Sequence, residues 1–250
     1  MIWSENWKDS GSITTHIACT LRSTAHRQKS LPKLPAAMLT SADSSGNLIA
    51  VGYISYPWQL EQQFAMHRNL PLFYCVNFKT QVEKLSESLA RDVNLFAMRS
   101  LNGVISDWSV KNDFVPSVID IYKNEIARIA PRGPLALGGN CQGGVIAEAL
   151  ARSLLDEGRD VVLLALLEHE PSSPYPGRVS MFFHTESLEH TPFHQRPDPE
   201  SEWREMHADV TWDLLPEGHG RTFNKSNFPL FSTMLVDRLQ QACAPDTGNQ

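Results

Sequence analysis

The stretch Leu135–Leu150 constrains this chain more than any other. It reads Leu-Ala-Leu-Gly-Gly-Asn-Cys-Gln-Gly-Gly-Val-Ile-Ala-Glu-Ala-Leu: a short apolar strand, a glycine-flanked turn and a run of helix formers. Cys141 stands at the point of the turn, between Gly139 and Gly143. A strand that turns straight into a helix strains the backbone of its central residue. It also crowds the positions two before and two after, where glycine fits because it has no Cβ. The turn aims its central side chain at the N-terminus of the next helix, where free N–H groups and the dipole favour a developing anion. The bland alternative is a glycine-rich turn around an inert, buried cysteine. Against it, the strand before and the helix after both lie where a reactive elbow needs them.

The rest of the chain alternates strands and helices around that turn. Ala36–Thr40 and Leu48–Tyr53 read as a hairpin about Ser41–Asn47, predicted to form an antiparallel sheet edge. Leu70–Val76 and Val93–Met98 read as strands on either side of a helix over Lys79–Arg91, with Val82, Leu85 and Leu89 at helical spacing. Asp113–Ile129 places Val115, Val118, Ile119, Tyr122, Ile126 and Ile129 on one helical face, with Pro116 in the first turn. The elbow helix is predicted to turn Val145, Ile146, Ala149, Leu150 and Leu154 inward and to stop near Gly158. Val161–Leu167, Arg178–Thr185 and Val210–Leu214 read as strands, and Phe228–Ala242 as a closing helix. Repeated β-α-β units predict an α/β fold with a mostly parallel sheet, helices on both faces and right-handed crossovers. We read residues 35–245 as one domain and 1–34 as an N-terminal arm or linker carrying Trp3, Trp7 and several basic residues.

Composition narrows the function classes. A net charge of -6 provides no electrostatic footprint for nucleic acid. No apolar run approaches the length of a bilayer span, and the N-terminus lacks the layout of a signal peptide. Cys19, Cys75, Cys141 and Cys243 show no C-x-x-C spacing, which suggests neither a zinc site nor a disulfide framework. The expected setting is cytoplasmic. His184, His190 and His194 cluster in sequence, but their spacing matches no zinc signature, so no metal or other cofactor is expected.

An elbow nucleophile needs an acid and a histidine, in that chain order. His219, in Leu215-Pro216-Glu217-Gly218-His219-Gly220, follows the last predicted strand and precedes the last helix. Glu168 ends the strand after the elbow helix, where a carboxylate would fix the imidazole tautomer. Glu170 and Glu186 stay open as alternative acids. The first oxyanion donor is expected from the Gln142 N–H, and the second from Val76 or Asn77.

These residues carry a resemblance. From about Leu70 to Ala242 the chain resembles the α/β-hydrolase thioesterase domains that release products from polyketide and non-ribosomal peptide synthases. The resemblance rests on Gly133–Gly139 leading into Cys141–Gly144, on Leu166–Pro171 and on Leu215–Gly220. It implies a triad of Cys141, His219 and Glu168, and an acyl group arriving on the phosphopantetheine of an acyl or peptidyl carrier protein. That group would leave by hydrolysis, cyclisation or transfer to an acceptor. Read this way, the chain is a cysteine-nucleophile thioesterase or acyltransferase.

Three departures from the family stand out. Cysteine replaces the usual serine, glutamate the usual aspartate, and Val76-Asn77-Phe78-Lys79 the usual glycine-rich loop. The short Pro171–Gly177 loop leaves no room for a large lid, so any cover must come from Ser187–Trp203 or the N-terminal segment. Two other readings compete. A dienelactone-hydrolase-like enzyme would favour an acid near Glu186, and an idle hydrolase fold would act as a binding module.

Overall fold

The computed structural model describes residues 40–42, 48–50, 54–55, 70–89, 93–100, 102, 111–186 and 197–244. The arm over 1–34 lies outside the described residues, as do Ala36 and the hairpin turn over 43–47. In chain order the elements are β1 (Thr40–Ala42), β2 (Leu48–Ala50), β3 (Ile54–Ser55), β4 (Pro71–Val76), α1 (Lys79–Leu89), β5 (Asn94–Arg99) and α2 (Lys111–Ile129). Then come β6 (Leu135–Asn140), α3 (Gln142–Asp156), β7 (Val161–Leu167), β8 (Arg178–His184), α4 (Pro199–Met206), β9 (Asp209–Leu215) and α5 (Phe228–Cys243).

Seven strands form one sheet in the order β3-β5-β4-β6-β7-β8-β9. All its pairings are parallel except β3 with β5. This is a largely parallel sheet flanked by helices, with α/β-hydrolase architecture. Strands β1 and β2 pair with each other, but β1 shares only Thr40 with the predicted first strand and otherwise falls in the predicted turn, and among the described residues neither strand joins the larger sheet. The antiparallel edge is β3 instead.

The central strands are buried on both faces, which explains why they read as unbroken apolar runs. On β4, Phe73 and Cys75 join the core beneath α2 and α3, while Leu72, Tyr74 and Val76 join the core beneath α1 and α5. On β7, Leu164 and Leu166 face the first core and Leu163, Ala165 and Leu167 the second. Burying each such side chain contributes about 1.5–3 kcal/mol.

Helix α3 corrects part of its predicted face. Val145 is 37% exposed, and the buried set includes Ala147, Glu148 and Ala151 beside Ile146, Leu150 and Leu154. The inward stripe lies about one position further along than the periodicity suggests. Helix α4 is absent from the sequence reading because it buries a single large side chain. Trp203 is 1% exposed and stacks on Phe183 at 5.6 Å. Asp198 caps the helix, accepting from the Ser201 N–H at 3.0 Å. Cys75 and Cys141 are free thiols. Cys243 is disulfide-bonded, a pairing that scattered spacing does not reveal.

Candidate active site

The parallel register carries the candidate residues to one edge of the sheet. Asn140 pairs with Leu167 across β6 and β7, so Cys141 and Glu168 leave the C-terminal ends of neighbouring strands. Leu167 pairs with Phe182 on β8, and His184 with Leu215 on β9, just before the loop bearing His219. In open α/β sheets, this edge is where ligands bind.

The elbow has the strain that its glycines suggested. Cys141 holds φ 49° and ψ -111°. A Cβ on Gly139 would stand 2.3 Å from the Gly143 carbonyl oxygen, far inside contact distance. The Cys141 N–H donates to the Leu167 carbonyl at 2.8 Å, and the Gly144 N–H to the Cys141 carbonyl at 3.0 Å. Among the described residues, the non-glycines with positive φ are Cys141, Glu168 (54°) and Glu217 (67°). Each lies in or next to this site. Such conformations cost of order 1–3 kcal/mol apiece and persist only where the surroundings enforce them.

Cys141 Sγ lies 3.5 Å from His219 Nε2, and His219 Nδ1 lies 3.2 Å from Glu168 Oε2. The Glu168 carboxyl is only 4% exposed, whereas the His219 ring is 60% exposed. Burial pushes the Glu168 pKa up, but hydrogen bonds from His184 and His219 outweigh it and hold the group at about 2. The contact with Cys141, followed by that with Glu168, pushes His219 up to about 10.

The two alternative acids are placed elsewhere. Glu170 Oε1 accepts from Trp203 Nε1–H at 2.9 Å and so seats α4. Glu186 donates its backbone N–H to the Glu217 carbonyl at 3.3 Å, and its carboxyl lies against Gly218. His190 and His194 lie outside the described residues. Among the described residues, no group of three or more His, Cys, Asp or Glu is placed to hold a metal ion.

The expected oxyanion loop is built unusually. The Asn77 and Phe78 N–H groups donate to Gln81 Oε1 at 2.8 and 3.1 Å. This is a capping arrangement for α1, which starts at Lys79 because no glycine loop intervenes. Asn77 Nδ2 donates to the Asn140 carbonyl at 3.1 Å, and Ser100 Oγ donates to Asn77 Oδ1 at 2.7 Å. The Asn77 side chain thereby ties together the ends of β4, β5 and β6. Gln142 is the first residue of α3, directly behind Cys141.

Two residues near the site gave no sequence signal as site residues. Glu148, 4% exposed on α3, accepts from Arg152 Nε at 3.0 Å and from the Ser172 N–H at 3.0 Å, and contacts His169 Nε2 at 2.9 Å. It ties the loop after Glu168 to the elbow helix. His184, set aside in the sequence as one of three clustered histidines, is fully buried against Glu168. An apolar strand ending in histidine carries no mark of such a partner.

Known proteins resemble this chain in sequence and in fold. Residues 80–179 match the family model described as a thioesterase domain. A stretch of 66 residues is 44% identical to a non-reducing polyketide synthase of Zymoseptoria tritici, covering 25% of this chain and 3% of that protein. Another, of 102 residues, is 30% identical to malpinin synthetase of Mortierella alpina, covering 39% of this chain and 1% of the synthetase. The chain thus spans only a small part of these relatives. Among solved structures, the NocB thioesterase domain in covalent complex with a fluorophosphonate nocardicin G analogue superposes with a TM-score of 0.53. It is 15% identical, over 77% of this chain and all of that one. The wild-type Vlm2 thioesterase domain gives a TM-score of 0.53 at 12% identity, over 75% and 97% of the two chains.

These findings correct one reading. The chain cannot be assigned to a cysteine-nucleophile class of thioesterase, because the matched family normally uses serine. The Gly-x-Cys-x-Gly pattern reports the shape of the turn, which accepts either side chain; it does not define a class by its sulfur. Over residues 80–179 the chain is similar to thioesterase domains, and Cys141 stands where the matched family normally has serine.

Proposed function

We propose that this domain removes an acyl group from a thioester carried on the phosphopantetheine of an acyl or peptidyl carrier protein. It then releases that group by hydrolysis, cyclisation or transfer in polyketide or peptide assembly. One observation carries the reading: Cys141, His219 and Glu168 line up at the sheet edge, with Cys141 and Glu168 inside the stretch, residues 80–179, that matches a thioesterase domain.

Cys141 Sγ attacks the thioester carbonyl, with His219 Nε2 at its side. A histidine cation beside sulfur favours the thiolate, which is the nucleophilic form. As the S–C bond to Cys141 forms and the bond to pantetheine sulfur breaks, His219 gives its proton to the leaving thiolate. Water, an alcohol or an amine then attacks the acyl-cysteine, and His219 takes the proton of that nucleophile. Glu168 accepts from Nδ1–H throughout and steadies the imidazolium. The Gln142 N–H is the first donor to the tetrahedral oxyanion, and Val76 or Asn77 supplies the second. The Asn77 N–H becomes available when Gln81 releases it. Exchange of one thioester for another leaves the acyl group nearly as reactive as it arrived, which suits transfer to weak nucleophiles. The pairing of His219 with Glu168 rather than Glu186 favours this reading over the lactone hydrolase.

Intact-protein mass spectrometry with a panel of acyl-pantetheine thioesters tests the proposal. A mass gain equal to the acyl group, absent in Cys141→Ala, supports it. If no thioester leaves an adduct or is turned over while Cys141 stays open to alkylation, the proposal fails.

A further inference from the structure

Glu168 is held by two histidines. Its Oε2 meets His219 Nδ1 at 3.2 Å, while its Oε1 accepts the His184 backbone N–H at 2.7 Å and lies 2.5 Å from His184 Nδ1. A carboxylate can only accept, so His184 Nδ1 carries the proton. The other ring nitrogen, Nε2, lies 3.1 Å from Thr222 Oγ1. His184 is fully buried, and Thr222 is 2% exposed. Thr222 lies three residues beyond His219 on the same loop, so the contacts close a ring: Glu168 to His219, along the loop to Thr222, through His184 and back to Glu168.

We propose that His184, anchored by Thr222, is the positioning residue that fixes Glu168 with one oxygen toward His219. The proposal rests on the reading of Cys141, His219 and Glu168 as the catalytic group. Its physical basis is the length of the acid. Glutamate has one more rotatable bond than aspartate, and its carboxyl must be held against that freedom to keep Oε2 on the imidazole. Glu168 also leaves β7 with φ 54°, a conformation that needs external support. His184 supplies two donors to the oxygen that His219 does not use. The charged and titratable groups that raise His219 are Cys141 and, second to it, Glu168, so with Cys141 unchanged a fall in its titration reports a weakened Glu168 contact.

The test compares His184→Leu, His184→Asn, Thr222→Val and Glu168→Gln with the parent protein. It uses kcat and KM on an acyl-pantetheine thioester and the NMR titration of the His219 ring. In His184→Leu, kcat is expected to fall about 10- to 100-fold at nearly constant KM. His219 should titrate lower than in the parent, in the same direction as in Glu168→Gln, while the Cys141 contact still holds it above its ordinary value. His184→Asn, which keeps an N–H donor near the same place, should restore much of both. Thr222→Val should give a milder loss of the same kind, and it decides the matter if His184→Leu does not fold. A folded His184→Leu, or Thr222→Val in its stead, with unchanged kcat and His219 titration overturns the proposal while Glu168→Gln stays impaired. If Glu168→Gln is itself unchanged in both readouts, the triad reading falls and this proposal falls with it.

Discussion

A Cβ on Gly143 would stand 2.2 Å from the carbonyl oxygen of Cys75. The first turn of the elbow helix therefore rests directly on the backbone of β4, bringing the loop after β4 next to the loop bearing Cys141. The contact is backbone on backbone, so no side-chain rotation can relieve it. Gly143→Ala is expected to cost about 1–3 kcal/mol or more of stability. Chemical denaturation would measure that loss, and an unchanged midpoint would show that helix and strand are further apart.

The sulfur itself can be tested through its intermediate. Cys141→Ser keeps the elbow and forms an oxoester in place of a thioester. The acyl adduct on the parent protein should be discharged by neutral hydroxylamine, while the adduct on Cys141→Ser should resist it. Mass spectrometry before and after treatment reads the difference.

The acid assignment is a contrast among three carboxylates. Glu168→Gln should lower kcat by about 10²–10⁴, because the imidazole loses the partner that fixes its tautomer. Glu186→Gln should leave turnover near the parent value, since His219 Nδ1 meets Glu168 and no hydrogen bond or ion pair joins Glu186 to His219. Glu170→Gln should alter stability more than turnover, through the Trp203 contact that seats α4. Steady-state rates of the three variants side by side make the comparison.

Stability should fall at both ends of the pH scale, for different groups. Glu168 is depressed to about 2 in the folded protein, against about 4.3 for an unfolded glutamate. Its contribution, about 3 kcal/mol by linkage, is present above pH 4–5 and is lost as the pH falls toward 2. His219 is raised to about 10, so its contribution is complete below about pH 6.5 and fades as the pH rises toward 10. Being largely exposed, it weakens further in salt. Thermal melts across pH should show the acid limb move in Glu168→Gln and the alkaline limb in His219→Gln.

Gln81→Ala removes the acceptor shared by the Asn77 and Phe78 N–H groups. Loss of this cap should cost about 0.5–2 kcal/mol, measured by denaturation.

The sequence by itself determined the elbow. Gly139, Cys141 and Gly143 between an apolar strand and a helix permit little but a strained turn, because that geometry is local. The alternation of elements, the double-sided burial of β4, β6 and β7, and the order of Cys141, Glu168 and His219 as candidates were legible for the same reason. Each is written in neighbouring residues or in chain order.

Only the tertiary structure decided which groups touch. His184 reaches Glu168 because parallel pairing of β7 with β8 brings residues sixteen apart to one edge, and no periodicity encodes that register. Gln81 takes the Asn77 N–H because α1 begins at once after β4. Among the described residues β1 and β2 pair with each other and not with the seven-stranded sheet, since hydrophobic alternation specifies strands, not their neighbours. Local sterics fix turns and periods, whereas a site is a set of long-range contacts, and those exist only once the sheet has chosen its register.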